Sequence, residues 1–121
     1  MKSYFKILVV FALVTTITIV QAKTATTKRI EQFANQQVKV WKTVIYPRSN
    51  QSLTMHRHEY NRVLVALTNG LLKITNDKGK VHYLRLKKDK AYYLKKDTPN
   101  ELHKDENLTQ FPIKVMVIEL K

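Results

Sequence analysis

From residue 38 onward the apolar positions of this chain recur at every second residue. In QVKVWKTVIYP, Val38, Val40, Lys42, Val44 and Tyr46 alternate with Lys39, Trp41, Thr43 and Ile45. This period of two predicts a long strand that stops at Pro47. RSNQ (48–51) reads as a turn, SLTMHRH (52–58) as a second extended segment, and RVLVALTNG as a third, apolar on both faces as a central strand is. Asn69-Gly70 is a turn dipeptide. LLKIT and KVHYLRL then face each other across NDKG (76–79), the clearest hairpin signal in the chain. AYYL (91–94), the turn KKDTPN, ELHK (101–104), the turn DENLTQ and FPIKVMVIEL complete the pattern. About eight short strands at intervals of about ten residues predict an all-β sandwich or barrel. Only TTKRIEQFANQQ (26–37) departs from this, because Ile30, Phe33 and Ala34 are spaced as on a helix. A short N-terminal helix is expected there.

Ahead of that segment, Lys2 and Lys6 precede an apolar run from Ile7 to Val20 that ends in Val20-Gln21-Ala22. This is the pattern of a signal peptide cleaved after Ala22, and it implies a periplasmic or secreted protein. The run spans about 14 residues and contains Thr15, Thr16 and Thr18, whereas a membrane-spanning helix needs about 20 apolar residues. A retained membrane anchor is the competing reading; after processing, no transmembrane span is expected. The chain then divides into a leader (1–22), an N-terminal segment (23–37) and one β-barrel domain (38–121). There is no cysteine, so the core must be held by packing alone.

Charge changes the picture less than its size suggests. The formal net charge is +13; without Lys2 and Lys6, 20 basic residues stand against 9 acidic ones, a net +11. The lysines are scattered over turns and alternate strand positions, with neither a recognition helix nor an aromatic platform for single strands. No nucleic-acid partner is expected. Attraction to acidic polymers, anionic headgroups or small carboxylates stays open.

The candidate chemistry lies in MHRHEYNRVLVALTNG. Residues i and i+2 of a strand point to one face, so His56 and His58 aim two imidazoles into one space. A tightly held transition metal needs a third protein ligand. His82 has no companion and reads as an ordinary strand histidine; His103 follows a turn containing Asp97 and Asn100 and precedes Asn107 by four residues.

HRHEYNRVLVALTNG resembles the first motif of the cupins, with two histidines one residue apart, a carboxylate and a closing glycine, here Gly70. DKAYYLKKDTPNELHKDEN resembles their second motif, in which a glycine, an aromatic strand and a Pro-Gly turn lead to one more histidine and an asparagine. The resemblance spans Val38 to Lys121 and implies a jelly-roll barrel with a divalent metal inside. It carries His56, His58 and His103 as metal ligands, with Fe, Mn, Ni, Cu and Zn all compatible. Two alignments of the second motif stand side by side. Counted from Asp89, Asn100 takes the histidine's place; counted back from Asn107, His103 does, and Asn100 takes the turn glycine's, since asparagine enters the left-handed region readily.

Where the family has its metal-binding glutamate, this chain has Arg62 or Val63. Glu59 is the nearby carboxylate; a strict period of two turns it away from the histidines, and a bulge at 59–61 would bring it back as an extra ligand. Arg62, Tyr60 and Asn100 are the candidate substrate contacts, with Arg62 able to pair with a carboxylate. Two functions compete. One is a metal-dependent enzyme acting on a small anionic organic substrate by dioxygen insertion, isomerisation or decarboxylation. The other is a non-catalytic barrel that binds a small ligand, lined by aromatics such as Trp41, Tyr46, Tyr60, Tyr92 and Tyr93, or that serves as a periplasmic accessory protein. FPIKVMVIEL is the expected sheet edge for a homodimer.

Overall fold

The computed structural model describes residues 10–19, 27–47 and 55–121. The cleavage site after Ala22 and the RSNQ turn lie outside the described residues. Residues 10–19 carry no regular secondary structure, and no helix among the described residues is long and apolar enough to cross a membrane.

Eight strands follow in order: β1 (Lys28–Ala34), β2 (Val38–Ile45), β3 (Arg62–Ala66), β4 (Gly70–Asn76), β5 (Val81–Leu86), β6 (Ala91–Leu94), β7 (His103–Asn107) and β8 (Ile113–Leu120). They form two sheets, β1-β2-β8-β3-β6 and β5-β4-β7, with every paired strand antiparallel. The alternation read from the sequence fixes what lies between them. Trp41 and Ile45 of β2, Leu64 and Ala66 of β3, Leu72 of β4, Leu86 of β5 and Ile113, Val115 and Val117 of β8 form one buried cluster.

The expected N-terminal helix is instead strand β1. It pairs with β2, and its register slips between Glu31 and Phe33. That bulge explains the misleading period: Ile30 sits opposite Lys42 and Phe33 opposite Val40, so two residues three apart share one face of the sheet. Asn35 closes the hairpin, its side-chain oxygen accepting the N–H groups of Gln37 (2.8 Å) and Val38 (2.9 Å).

Two other expectations need correcting. Among the described residues of SLTMHRH, only His56 pairs, as an isolated bridge to His103. FPIKVMVIEL does not form an edge: β8 lies between β2 and β3, and the sheets end on β1, β6, β5 and β7.

Two positions of the motifs have plain structural roles. A Cβ on Gly70 would stand 2.5 Å from Ile113 Cδ1 and Cγ1, and Ile113 is wholly buried. Gly70 therefore serves close approach between β4 and β8. Asn107 is also wholly buried. Its amide donates to the carbonyls of Ile45 (2.9 Å) and Phe111 (2.6 Å), and its oxygen accepts from the N–H and hydroxyl of Thr109. Asp89 (φ 68°) and Asn100 (φ 63°) both take left-handed conformations. Both positions that could stand for the motif's first or second glycine thus have glycine-like backbones.

Candidate metal centre

The three histidines come together from two chain segments. His56 and His103 exchange backbone hydrogen bonds of 2.8 Å in both directions, which fixes their side chains against each other. Two residues on, the His58 carbonyl accepts the Asp97 N–H at 2.9 Å and the His58 N–H donates to Asp97 Oδ2 at 2.6 Å. Ring centroids are then 4.4 Å (His56–His103), 4.9 Å (His56–His58) and 5.3 Å (His58–His103) apart. One nitrogen from each ring lies within 4.8 Å of the other two. Asn100 stands in the turn ahead of β7, so the alignment that gives His103 the histidine position is the one whose residue reaches the cluster.

Burial favours the neutral imidazole at two of the donors, His58 and His103. Burial pushes the His58 imidazole down to about 3, with the nearby Arg62, His56, His103 and Arg29 adding to the effect. His103 is also lowered by burial, opposed by Asp105 and Asp97. A neutral imidazole has a lone pair to offer, as metal ligation requires. Carboxylates frame the cluster: Asp97 Oδ2 is 3.1 Å from His103 Nδ1, and Asp105 approaches His56 Nε2 (3.6 Å) and His103 Nε2 (3.7 Å). Three nearby imidazoles make a donor set suited to a first-row divalent ion.

The cluster opens into a cavity of about 1030 Å³ between the sheets. Arg62 is buried in it, at 8% exposure, and donates a long hydrogen bond (3.4 Å) to the Lys95 carbonyl. Burial lowers its proton affinity, while Asp97, Asp105 and Glu119 raise it; a guanidinium remains charged under such shifts. Arg29 reaches the same cavity from β1, its guanidinium 3.6 Å above the Trp41 ring, and Tyr93 and His82 also line it. The other expected contacts do not arrive. Glu59, Tyr60 and Asn100 are exposed and outside the lining, and Tyr46 and Tyr92 are half-buried and also outside it. Glu59 keeps the outward face that the period of two assigns it. Tyr92 instead packs on the core and accepts the Lys87 N–H at 2.9 Å.

Three residues of the site escaped sequence reasoning. Arg29 was hidden by the helical reading of its segment. Asp97 looked like turn chemistry, and Asp105 fell within a stretch read as a turn. A β7 carried through to Asn107 would have placed Asp105 on the His103 face.

The architecture is that of the cupin barrel. No family model matches the chain, and no curated protein matches it in sequence. Among solved structures, a cupin domain from Bordetella pertussis Tohama I is similar at 22% identity and TM-score 0.67, over 84% of this chain and 99% of that one. An RmlC-like cupin with a double-stranded β-helix fold from Methanocaldococcus jannaschii is 14% identical, TM-score 0.56, over 90% and 93% of the two chains. The Cupin_2 domain of an XRE-family transcriptional regulator from Enterobacter cloacae is 14% identical, TM-score 0.57, over 78% and 96%. The chain is therefore a small protein of cupin fold.

Proposed function

We propose that this protein holds one divalent transition metal on His56, His58 and His103 and acts on a small anionic organic molecule in the cavity beside it. The observation that carries this reading is the convergence of three imidazoles on a cavity that also holds the buried guanidinium of Arg62. A divalent ion bound there would polarise an oxygen of the bound molecule as a Lewis acid. The chain's own groups do the rest. Arg62 offers a planar pair of donors to a carboxylate, Arg29 over Trp41 adds a second positive group, and Leu64, Leu72 and Val115 keep the floor apolar. Dioxygen insertion, isomerisation and decarboxylation of carbon acids all suit this set of groups.

The test is elemental analysis of the purified protein. One ion per chain is expected, falling to near zero in His56→Ala and His58→Ala; a metal-free wild type that takes up no added divalent ion contradicts the reading.

A binding role without turnover is the second reading, favoured by Arg62 occupying the place where a metal-binding glutamate is expected. The Enterobacter cloacae domain is part of a transcriptional regulator, an example of this fold outside an enzyme. Metal-loaded protein that binds small carboxylates and leaves them unchanged under oxygen would favour it. Export is part of the proposal, on the strength of the N-terminal pattern. Sequencing the N-terminus of protein expressed from the full chain should give Lys23 first; an intact Met1 in the extracytoplasmic fraction contradicts cleavage.

A further inference from the structure

The five-stranded sheet lines the cavity with one face only. Trp41, Val117 and Leu64, paired across β2, β8 and β3, are in that lining, so their neighbours along each strand point outward. An antiparallel sheet with one wet face alternates apolar residues inside with polar ones outside. This sheet does not. Phe33, Val40, Ile118 and Val63 stand side by side on the outer face of β1, β2, β8 and β3, and the next row holds Ile30, Lys42, Met116 and Val65. Phe33 is 55% exposed and Ile30 47%; Val40 is buried, and the apolar residues from β8 and β3 are half-buried. Five strands at about 4.8 Å and eight residues at about 3.4 Å make a face of up to about 650 Å² in plan. A stable interface takes about 800 Å² from each partner, so an apolar face of this extent is of the size that a protein partner covers.

Charge narrows the choice of partner. At the paired outward positions of these four strands the charged residues are Lys28, Lys42 and Lys114, whereas Glu31 and Glu119 fall on the inward alternation, opposite Trp41 and Arg62. The lysines are gathered toward one end of the face, because Lys28 and Lys114 flank Val44 in its last row and Lys42 stands in the row before it. Two such faces repel when their lysine ends meet and fit when one is reversed. A two-fold axis lying between stacked sheets and across the strands gives that reversal. Along β8, Lys114 of one copy then faces Leu120 of the other, and Met116 faces Ile118. The Phe33 row of each copy packs on the Ile30 row of the other, and the lysine stems lie on apolar surface with their ammonium groups at the rim.

We propose that the outer face of the five-stranded sheet binds a second copy of this chain, making a homodimer of two barrels stacked sheet to sheet with their cavities turned away from each other. β8 thus serves association by its face rather than by an edge. The dimer does not depend on metal.

Sedimentation equilibrium of the purified protein over a range of concentrations tests this. The wild type should show twice the mass of one chain. Ile118→Glu and Phe33→Asp, which put carboxylates into the middle and the side of the contact, should raise the dissociation constant at least tenfold. Phe33 is an exposed residue of an edge strand, so its replacement leaves the barrel folded; where Ile118→Glu does not fold by circular dichroism, Phe33→Asp carries the test. Leu120→Glu sets a carboxylate opposite the lysine of the second copy and should leave the dimer intact. A wild type with the mass of one chain at every concentration overturns the proposal; if that monomer binds vesicles of phosphatidylglycerol and Phe33→Asp does not, the face belongs to a lipid surface. A dimer that neither Ile118→Glu nor Phe33→Asp weakens also overturns it, because the contact then lies elsewhere.

Discussion

At the scale of single residues, His58 is the most perturbed group of the site. It titrates at 6.5 in an unfolded chain and near 3 in the folded metal-free protein. Between those values the unfolded state binds more protons, so stability must fall as pH is lowered from about 6.5 toward 3. Above that window His58 contributes no pH dependence. Urea denaturation of metal-free protein across pH 4 to 7 is expected to show this decline, and His58→Gln should flatten it; an unchanged slope in the variant would assign the decline to other groups. Burial dominates the shift, and Arg62 is the next largest cause. Arg62→Met should therefore move the His58 midpoint upward in an NMR titration. The residue types of this site were legible because histidines one residue apart in an extended segment have few other readings. The partners were not, since Asp97, Asp105 and Arg29 owe their places to strand pairing rather than to local pattern.

Elements explain both what could be read and what could not. Strands β2 to β6 and β8 follow from alternation and turn residues, because each has one face on the core. β1 is exposed along its whole length, so no burial imprints a period of two on it. Its bulge produced the i, i+3 spacing of a helix. The β7 boundary moved for a related reason: Asp105, Glu106 and Asn107 look like turn residues, yet Asn107 is an anchor inside the fold. Asn107→Ala removes the amide donor to the carbonyls of Ile45 and Phe111 and the acceptor of the Thr109 N–H, leaving Phe111 the Thr109 hydroxyl alone among the side-chain donors. The loss should be about 2–4 kcal/mol, and His103, four residues back on the same strand, should hold metal less tightly. Gly70→Ala drives a methyl group into Ile113 and should cost about 1–3 kcal/mol through overpacking. Denaturation midpoints of the two variants check both figures; wild-type midpoints would show that the barrel relaxes at these points.

For the whole molecule, two sources of positive charge must be kept apart. Among the described residues every lysine is exposed or half-buried, where salt screens charge within about 10 Å. Arg62 and the histidines lie inside the barrel, where screening is weaker. Retention on an anionic resin should vanish at high salt, whereas binding of a small carboxylate to the metal-loaded cavity should persist. Carboxylate binding that disappears with the resin retention would move the function to the surface. The cupin fold itself was legible from two motifs and the strand rhythm. The places of Asp97 and Asp105 beside the histidines were not, since they depend on β7 pairing with β4 on one side and bridging His56 on the other.

Three histidines, two of them joined by the bridge between residues 56 and 103, form the proposed metal site. Thermal unfolding of metal-free protein with and without a divalent ion at about 100 times its dissociation constant tests this directly. Binding to the folded state alone should add about 2.7 kcal/mol of stability, raise the melting temperature of the wild type, and have no effect on His56→Ala. Equal melting temperatures with and without Fe(II), Mn(II), Co(II), Ni(II), Cu(II) and Zn(II) would contradict it.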